Sequence, residues 1–313
     1  MKILGIGTTV VDRVVVMDAY PDADTKKEIS DGWIQVGGPV PVALSTATSL
    51  GTDVRLLSRW GNDGDGRFIT DTLSARRIDL GDSKNADAWQ TGSAQVWLSQ
   101  KDGSRTIAFS RGTFPKLTAS DVTDEFIQDC GILHLDGWAS DAAIAAAIKM
   151  RQQGGTVVLD AGSVKPGIDQ LLPHVDVLIA SKLFRDALQS AAASHQTTQQ
   201  LLVKLFESHH HKSTTHDPAG LKPIDEETWK QLNGLTVIMT QGENGATLYN
   251  QDGVFRVEGH SVKCVDSNGA GDIFSGGVLH GIAQRWPFMQ TLEFANRIAA
   301  ESCTRFGNSA SSY

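Results

Sequence analysis

The stretch Asp266-Ser267-Asn268-Gly269-Ala270-Gly271-Asp272-Ile273-Phe274-Ser275-Gly276-Gly277 decides how this 313-residue chain is read. Two acidic residues bracket a glycine-rich turn, and a run of small and apolar residues follows. Such a turn opens a helix whose first backbone N–H groups have no partner inside the helix. Those groups and the positive end of the helix dipole form a site for an anion such as phosphate. Asp272 would stand at the mouth of that site, placed to take a proton from a hydroxyl. Gly269, Ala270 and Gly271 would meanwhile offer N–H donors to the charge developing on a phosphoryl group. An Asp at a helix start also serves as a plain cap. Turn, helix and carboxylate together imply phosphoryl transfer to an alcohol.

Working outward, Gly37-Gly38-Pro39-Val40-Pro41-Val42-Ala43-Leu44-Ser45-Thr46-Ala47-Thr48-Ser49-Leu50-Gly51 reads as a Gly pair leading into a helix rich in small residues. The Gly pair permits close backbone approach to a ligand, and Gly51 reads as the stop after the helix. Arg59-Trp60-Gly61-Asn62-Asp63-Gly64-Asp65-Gly66 is a turn, Asp102-Gly103-Ser104-Arg105-Thr106 lies in a hairpin, and Thr240-Gln241-Gly242-Glu243-Asn244-Gly245-Ala246 is a glycine-rich loop. From Gly131 onward strands and helices alternate: strands at 132–135, 156–160, 175–180 and 235–240, helices at 142–151, 269–284 and 291–305. Repeated β–α units imply a mainly parallel sheet with ligands at the carboxyl ends of its strands. The early β pieces at 10–17, 33–36, 93–98 and 106–110 lie outside this alternation and form a small separate sheet.

These segments, in order from about Gly5 to Gly307, resemble the ribokinase/PfkB family of carbohydrate and nucleoside kinases. The opening stretch is similar to the family's D-T-x-G-A-G-D-x-F-x-G-G signature, with Ser267 in the Thr position. The resemblance implies a ribokinase-like α/β fold: one three-layer α/β/α domain over 1–313 with a small β-sheet lid from about 12–36 and 89–111. It implies ATP and Mg²⁺ as cofactors, with Asp272 as base. Thr240, Gly242, Gly245 and Asn296 would line the nucleotide pocket. Asp12 would bind substrate hydroxyls, with Gly37, Gly38, Arg105 and Arg111 around the same pocket. An Asp inside a β-branched run also needs a reason of its own, since strands disfavour it. Asp266 either shapes the turn through local hydrogen bonds or, with Asn268 and Gly307, holds a monovalent cation such as K⁺.

The chain departs from the family pattern at two places. Val42 stands where a sugar-binding Asn is usual, and Ser181-Lys182-Leu183-Phe184 replaces the N-x-x-E that organises Mg²⁺. Ketohexokinase-like and sulfosugar-kinase-like branches vary at the second place too. The expected reaction is therefore transfer of the γ-phosphoryl group of ATP to a primary hydroxyl of a sugar, a ketose first. A nucleoside kinase and a ligand-binding pseudokinase stand as alternatives. A nicotinamide oxidoreductase is the third option: Gly5-x-Gly7 opens like a dinucleotide fingerprint, but Val10 stands where its third Gly would be.

A formal charge of −8 with no dense Lys/Arg run argues against nucleic acid or an anionic membrane as the main partner. No stretch reaches the roughly 18 apolar residues of a membrane span. The N-terminus lacks a signal-like segment, and Cys130, Cys264 and Cys303 form no C-x-x-C, so a cytoplasmic protein with reduced thiols is expected. The exposed edge of the lid sheet makes a homodimer through it plausible. Gln189–Pro223, with His209-His210-His211 and His216, reads as a solvated segment rather than a metal site, since no Cys or carboxylate pattern accompanies it.

Overall fold

The computed structural model describes residues 1–81, 83–101, 104–138, 141–191, 202, 232 and 234–308. Runs of apolar residues buried on both faces pair in parallel, because helices must cover both sides of such a sheet. Here β1 (Lys2–Ile6), β4 (Val54–Leu57), β9 (Cys130–Leu135), β10 (Thr156–Ala161), β11 (Val177–Ala180) and β12 (Thr236–Thr240) form the parallel part. The antiparallel strands β13 (Ala246–Asn250) and β14 (Gly253–Val257) extend it, in the order β14-β13-β12-β11-β10-β9-β1-β4. Period-2 alternation divides the side chains between two cores. Leu4, Leu133, Leu135 and Leu159 pack on one face, and Ile3, Ile132, Val158 and Ile179 on the other.

Helix α4 (Asp141–Gln152) covers the first face with Ala142, Ala146 and Met150. The second face is covered by α1 (Pro39–Ser49) and by a helix at Ala270–Ala283. Numbered after α2 (Gly64–Ala75), α3 (Asp124–Ile127), α5 (Ile168–Leu171) and α6 (Lys182–Ala191), that helix is α7, and α8 spans Phe288–Ser302. The glycines of α7 are its packing surface. A Cβ on Gly276 would fall 2.5 Å from Thr46 Cβ of α1, and one on Gly277 2.8 Å from Ile298 Cδ1 of α8. The small residues thus let α7 wedge between α1 and α8 with its N-terminus at the carboxyl edge of the sheet.

A second, four-stranded sheet has the order β3-β2-β7-β8. Its strands are β2 (Val10–Met17), β3 (Asp31–Gly37), β7 (Ser93–Ser99) and β8 (Arg105–Ser110), drawn from the two segments that the sequence sets apart from the α/β pattern. Val14, Val16, Ala94, Val96 and Leu98 make a core of their own on one face. Strand β8 is exposed along its whole length. The Asp63 turn anchors this sheet to the larger domain: Asp63 caps α2 by accepting from Gly66 N at 2.8 Å and also accepts from Thr91 N at 2.8 Å and Thr91 Oγ1 at 2.6 Å, just before β7. Burial would push the Asp63 acid up, but these hydrogen bonds hold it below its ordinary range. Residues 102 and 103 of the hairpin apex and nearly all of 192–233, with the histidine cluster, lie outside the described residues.

Gly276→Ala is expected to lower the unfolding free energy by about 1–3 kcal/mol through overpacking against α1. Gly271→Ala, whose Cβ would meet nothing within 4 Å, should not lower it; urea denaturation of the two variants checks the contrast.

Candidate active site

Gly269 has φ of 79°, a left-handed conformation that suits glycine and turns the chain sharply into α7. Ile273 N reaches back to Gly269 O at 2.9 Å, and Ala270 N donates to Ser267 O at 3.3 Å. The N–H groups of Gly271 and Asp272 have no backbone acceptor among the described residues, which leaves donors and the positive helix end facing outward. Half-buried Asp272 sits in this first turn.

Opposite it the sheet contributes two further acids. Asp136 directly follows β9, accepting from Thr8 N at 2.7 Å and Trp138 N at 3.3 Å. Asp160 lies in β10 and accepts from Ser275 Oγ of α7 at 2.7 Å. Asp12 comes from β2 and occupies the space where a Cβ on Gly37 would stand, so Gly37 is the residue that lets it in. Confinement raises all four acids. Burial pushes Asp12 up to about 6, with Gln35 opposing. Asp160 also rises to about 6, through burial and the charge of Asp136 against the Ser275 hydrogen bond. Burial raises Asp136 above its ordinary range despite its backbone donors. Asp272 is raised well above its ordinary range by burial first, then by the charges of Asp160 and Asp12, with Arg105 pulling the other way.

Cations stand at the rim. From β8, Arg105 Nη1 donates to Ser267 Oγ at 3.1 Å, bridging the small sheet to the glycine turn. Arg111 lies over the Trp138 ring at 4.3 Å and Lys165 over the same ring at 5.2 Å, so Trp138 is flanked by two cations. Neither has an ion-pair partner among the described residues.

A cleft of about 820 Å³ opens on the other side of the turn, and Thr240, Gly242, Gly245, Asn296, Ala270 and Gly271 are among its walls. The four residues expected to hold a nucleotide thus share one cavity with the start of α7. Open space lies around the missing Cβ of Gly242. Gly245 has φ of 84° and packs against the chain at Val257. Asn296 also has a structural task, donating to Val257 O and Glu258 O at 3.4 Å each.

Asp266, Asn268 and Gly307 meet in one knot. Asn268 N donates to Asp266 Oδ1 at 2.8 Å and Gly307 N to Asp266 Oδ2 at 3.0 Å. The neighbouring Asn308 ties this knot to β3 through Gln35 Oε1 at 3.1 Å and Val36 O at 2.9 Å. Gly38, with φ of 104°, is the N-cap of α1 and crowds Thr8 O. Val42 does not face open space; it packs with Ile273 and Ile298. Ser181 caps α6 through Phe184 N at 3.1 Å and donates to Gly162 O at 2.8 Å. Among the described residues no group of three His, Cys, Asp or Glu side chains has metal-holding geometry.

The sequence reading missed Asp136, Asp160, Trp138, Lys165 and Gln35. A signal was present for the two acids, since each falls at the carboxyl end of an apolar strand, where α/β sheets bind ligands. Nothing in the sequence marks Trp138, Lys165 or Gln35.

The pfkB family carbohydrate kinase model matches residues 2–312, and the chain belongs to that family. It is an ATP-dependent phosphotransferase that acts on a sugar. It is 22% identical over 276 residues to 5-dehydro-2-deoxygluconokinase of Clostridium botulinum, covering 84% of this chain and 76% of that protein. Ribokinase of Haemophilus influenzae is 23% identical over 310 residues, covering 98% and 93%. In fold it matches Arabidopsis thaliana ribokinase complexed with ribose and ATP, at a TM-score of 0.72 and 19% identity over 97% and 93% of the two chains. An Escherichia coli protein described as a ribokinase II, solved with ATP and Mg²⁺, matches at 0.77 and 22% identity over 99% and 96%. No helix among the described residues is long and apolar enough to cross a membrane.

The raised acids carry a stability consequence. Asp160 folded titrates near 6 against about 3.9 unfolded, so the neutral form stabilises the fold below about pH 4 and that contribution is lost as pH rises through 6. Asp160→Asn removes this share of the slope and leaves that of the other raised acids. Its unfolding free energy relative to the parent should rise by about 1–2 kcal/mol between about pH 4 and pH 8, read by urea denaturation at the two pH values.

Proposed function

We propose that this kinase transfers the γ-phosphoryl group of ATP to a primary hydroxyl of a ketose or related sugar, with Asp272 as the general base. The observation that carries the reading is the Asp272 carboxylate in the first turn of α7, beside unpaired N–H groups and with its pKa raised. A base with an elevated pKa holds a hydroxyl proton better than an ordinary carboxylate does. Asp272 accepts that proton as the hydroxyl oxygen bonds to the γ-phosphorus and the bond from phosphorus to the departing ADP oxygen breaks. The N–H groups of the Gly269-Ala270-Gly271 turn meet the phosphoryl oxygens, and Arg105 adds positive charge from β8. Asp272 then returns the proton to solvent. Mg²⁺ bound to the phosphates screens their charge.

Asp12, supported by Gly37, and the neighbouring Asp136 and Asp160 accept hydrogen bonds from sugar hydroxyls, with Gly38 shaping the same wall. Thr240, Gly242, Gly245 and Asn296 line the nucleotide side. The small sheet acts as a lid that excludes water, a competing phosphoryl acceptor, and the Arg105–Ser267 contact supports closure onto the phosphate turn. The Asp266-Asn268-Gly307 knot beside that turn suits a K⁺ ion. Exposed Ile107 and Phe109 on β8 suit pairing of two copies through the lid; sedimentation reporting only monomer at micromolar concentration would refute it.

The test is ADP release with ATP, Mg²⁺ and K⁺ against ketoses, aldoses, sugar acids, sulfosugars and nucleosides. Turnover on one sugar class is expected, falling about 10²–10⁴-fold in Asp272→Asn with ATP binding retained. It should also fall when tetramethylammonium replaces K⁺. Rate should rise with pH through a range above that of ordinary carboxylates, because Asp272 must lose its proton to act. Arg105→Gln should move that limb to higher pH. Turnover that survives Asp272→Asn would refute the base, and turnover confined to nucleosides would replace the sugar reading.

The cations flanking Trp138 favour, within the same reading, a sugar that carries a carboxylate or sulfonate. Arg111→Gln should then raise KM for an anionic sugar about tenfold or more and leave KM for a neutral one within about twofold. Equal effects on both would remove Arg111 from substrate selection.

A further inference from the structure

Two of the three cysteines meet at the nucleotide cleft. Cys264 precedes the phosphate turn and is exposed, whereas Cys303 follows α8 and is half-buried. Their backbones are stitched together, with Val265 N donating to Cys303 O at 2.7 Å and Asp266 N to the same oxygen at 3.2 Å. The Cys303 thiol donates to Ala299 O at 3.3 Å, and Cys264 is the first group after burial to act on it. Both line the cavity that also contains Thr240, Gly242 and Asn296. The third, Cys130, is buried in β9, outside that cavity. Sequence spacing gave no hint of the pair, because 264 and 303 are separated by α7, α8 and their connection.

We propose that Cys264 and Cys303 are a modification site: a disulfide between them, formed by a small-molecule disulfide such as oxidised glutathione, shuts ATP out of the cleft. This rests on the reading of that cleft as the nucleotide site. Exposed Cys264 is the entry thiol. Its thiolate attacks the glutathione disulfide, forming a mixed disulfide and releasing one glutathione. The Cys303 thiolate then attacks the Cys264 sulfur, forming the internal bond and releasing the second glutathione. Two protein thiols are oxidised, one disulfide is reduced to two thiols, and the protons lost by the cysteines go to the glutathiones. Burial first, and then Cys264, push the Cys303 thiol up to about 11, which makes the second step the slow one.

Closure has a geometric consequence. A disulfide needs sulfurs about 2.05 Å apart, far shorter than a thiol–thiol contact, so the two side chains must turn toward each other, which ties residues 264–266 to the end of α8. Asp266 in that segment accepts from Asn268 N in the phosphate turn and from Gly307 N after α8, and the mixed disulfide would put a tripeptide in the cavity itself. Either form competes with ATP, and bound ATP should in turn slow the modification.

The experiment treats the full reduced chain with oxidised glutathione, with and without ATP, and follows intact mass, peptide mapping and ATP binding by calorimetry. Expected are a mass lower by two hydrogens, a linked peptide holding residues 264 and 303, a loss of ATP affinity of about tenfold or more, protection by ATP, and recovery on reduction. In Cys303→Ser the reaction should stop at the glutathione adduct on Cys264. Absence of the linked peptide, or a linked protein that binds ATP unchanged, overturns the proposal. A reduced protein that fails to bind ATP refutes the nucleotide reading and the blockade with it, while the linked peptide still decides whether the pair forms.

Discussion

Four carboxylates, Asp12, Asp136, Asp160 and Asp272, are confined at one end of the sheet; burial raises each of them, and the charge of neighbouring acids adds to it for Asp160 and Asp272. The rest of the structure answers that constraint. The N-terminus of α7 turns its dipole toward them, Ser275 reaches back to Asp160, Thr8 and Trp138 donate to Asp136, and Arg105 and Lys165 supply opposing charge. A fold optimised for stability alone would not collect these acids in one place. Burial, with the charges of Asp160 and Asp12 added to it, leaves Asp272 more basic than an ordinary carboxylate.

Helix α7 joins stability to chemistry. Its first turn presents the donors and Asp272, and its middle is a glycine surface pressed between α1 and α8. Whatever shifts α1 or α8 therefore shifts the glycine turn. The knot of Asp266, Asn268 and Gly307 works alongside it: the chain after α8 is bonded to the turn through Asp266 and to the small sheet through Asn308. Ring contact between Trp33 and Phe306 at 5.3 Å reinforces that tie. Turn, small sheet and chain end are tied into one hydrogen-bonded unit, and the two thiols sit at the same junction.

The family's departures also have physical readings here. Val42 fills an apolar niche between α1, Ile273 and Ile298, so its side chain is taken up in packing. Ser181 caps α6, so the usual metal-organising pair has no counterpart at that helix start. Trp138 with its two cations adds a surface that a plain polyol does not call for.

Local chemistry is what the sequence determined by itself. The αL turn at Gly269, the acid in the first helical turn, the alternation of strand and helix and the separate early β pieces are all written in short runs, where period, glycine position and capping residues act over a few neighbours. Asp272, Asp12, Thr240 and Gly245 were legible for that reason. Tertiary structure alone decided which distant groups meet. Asp136 and Asp160 become neighbours only because β9 and β10 pair in parallel register, Trp138 gains Arg111 and Lys165 from separate loops, and Cys264 meets Cys303 because α7 and α8 fold back on each other. Long-range pairing depends on sheet order and helix packing, and no local pattern encodes either one.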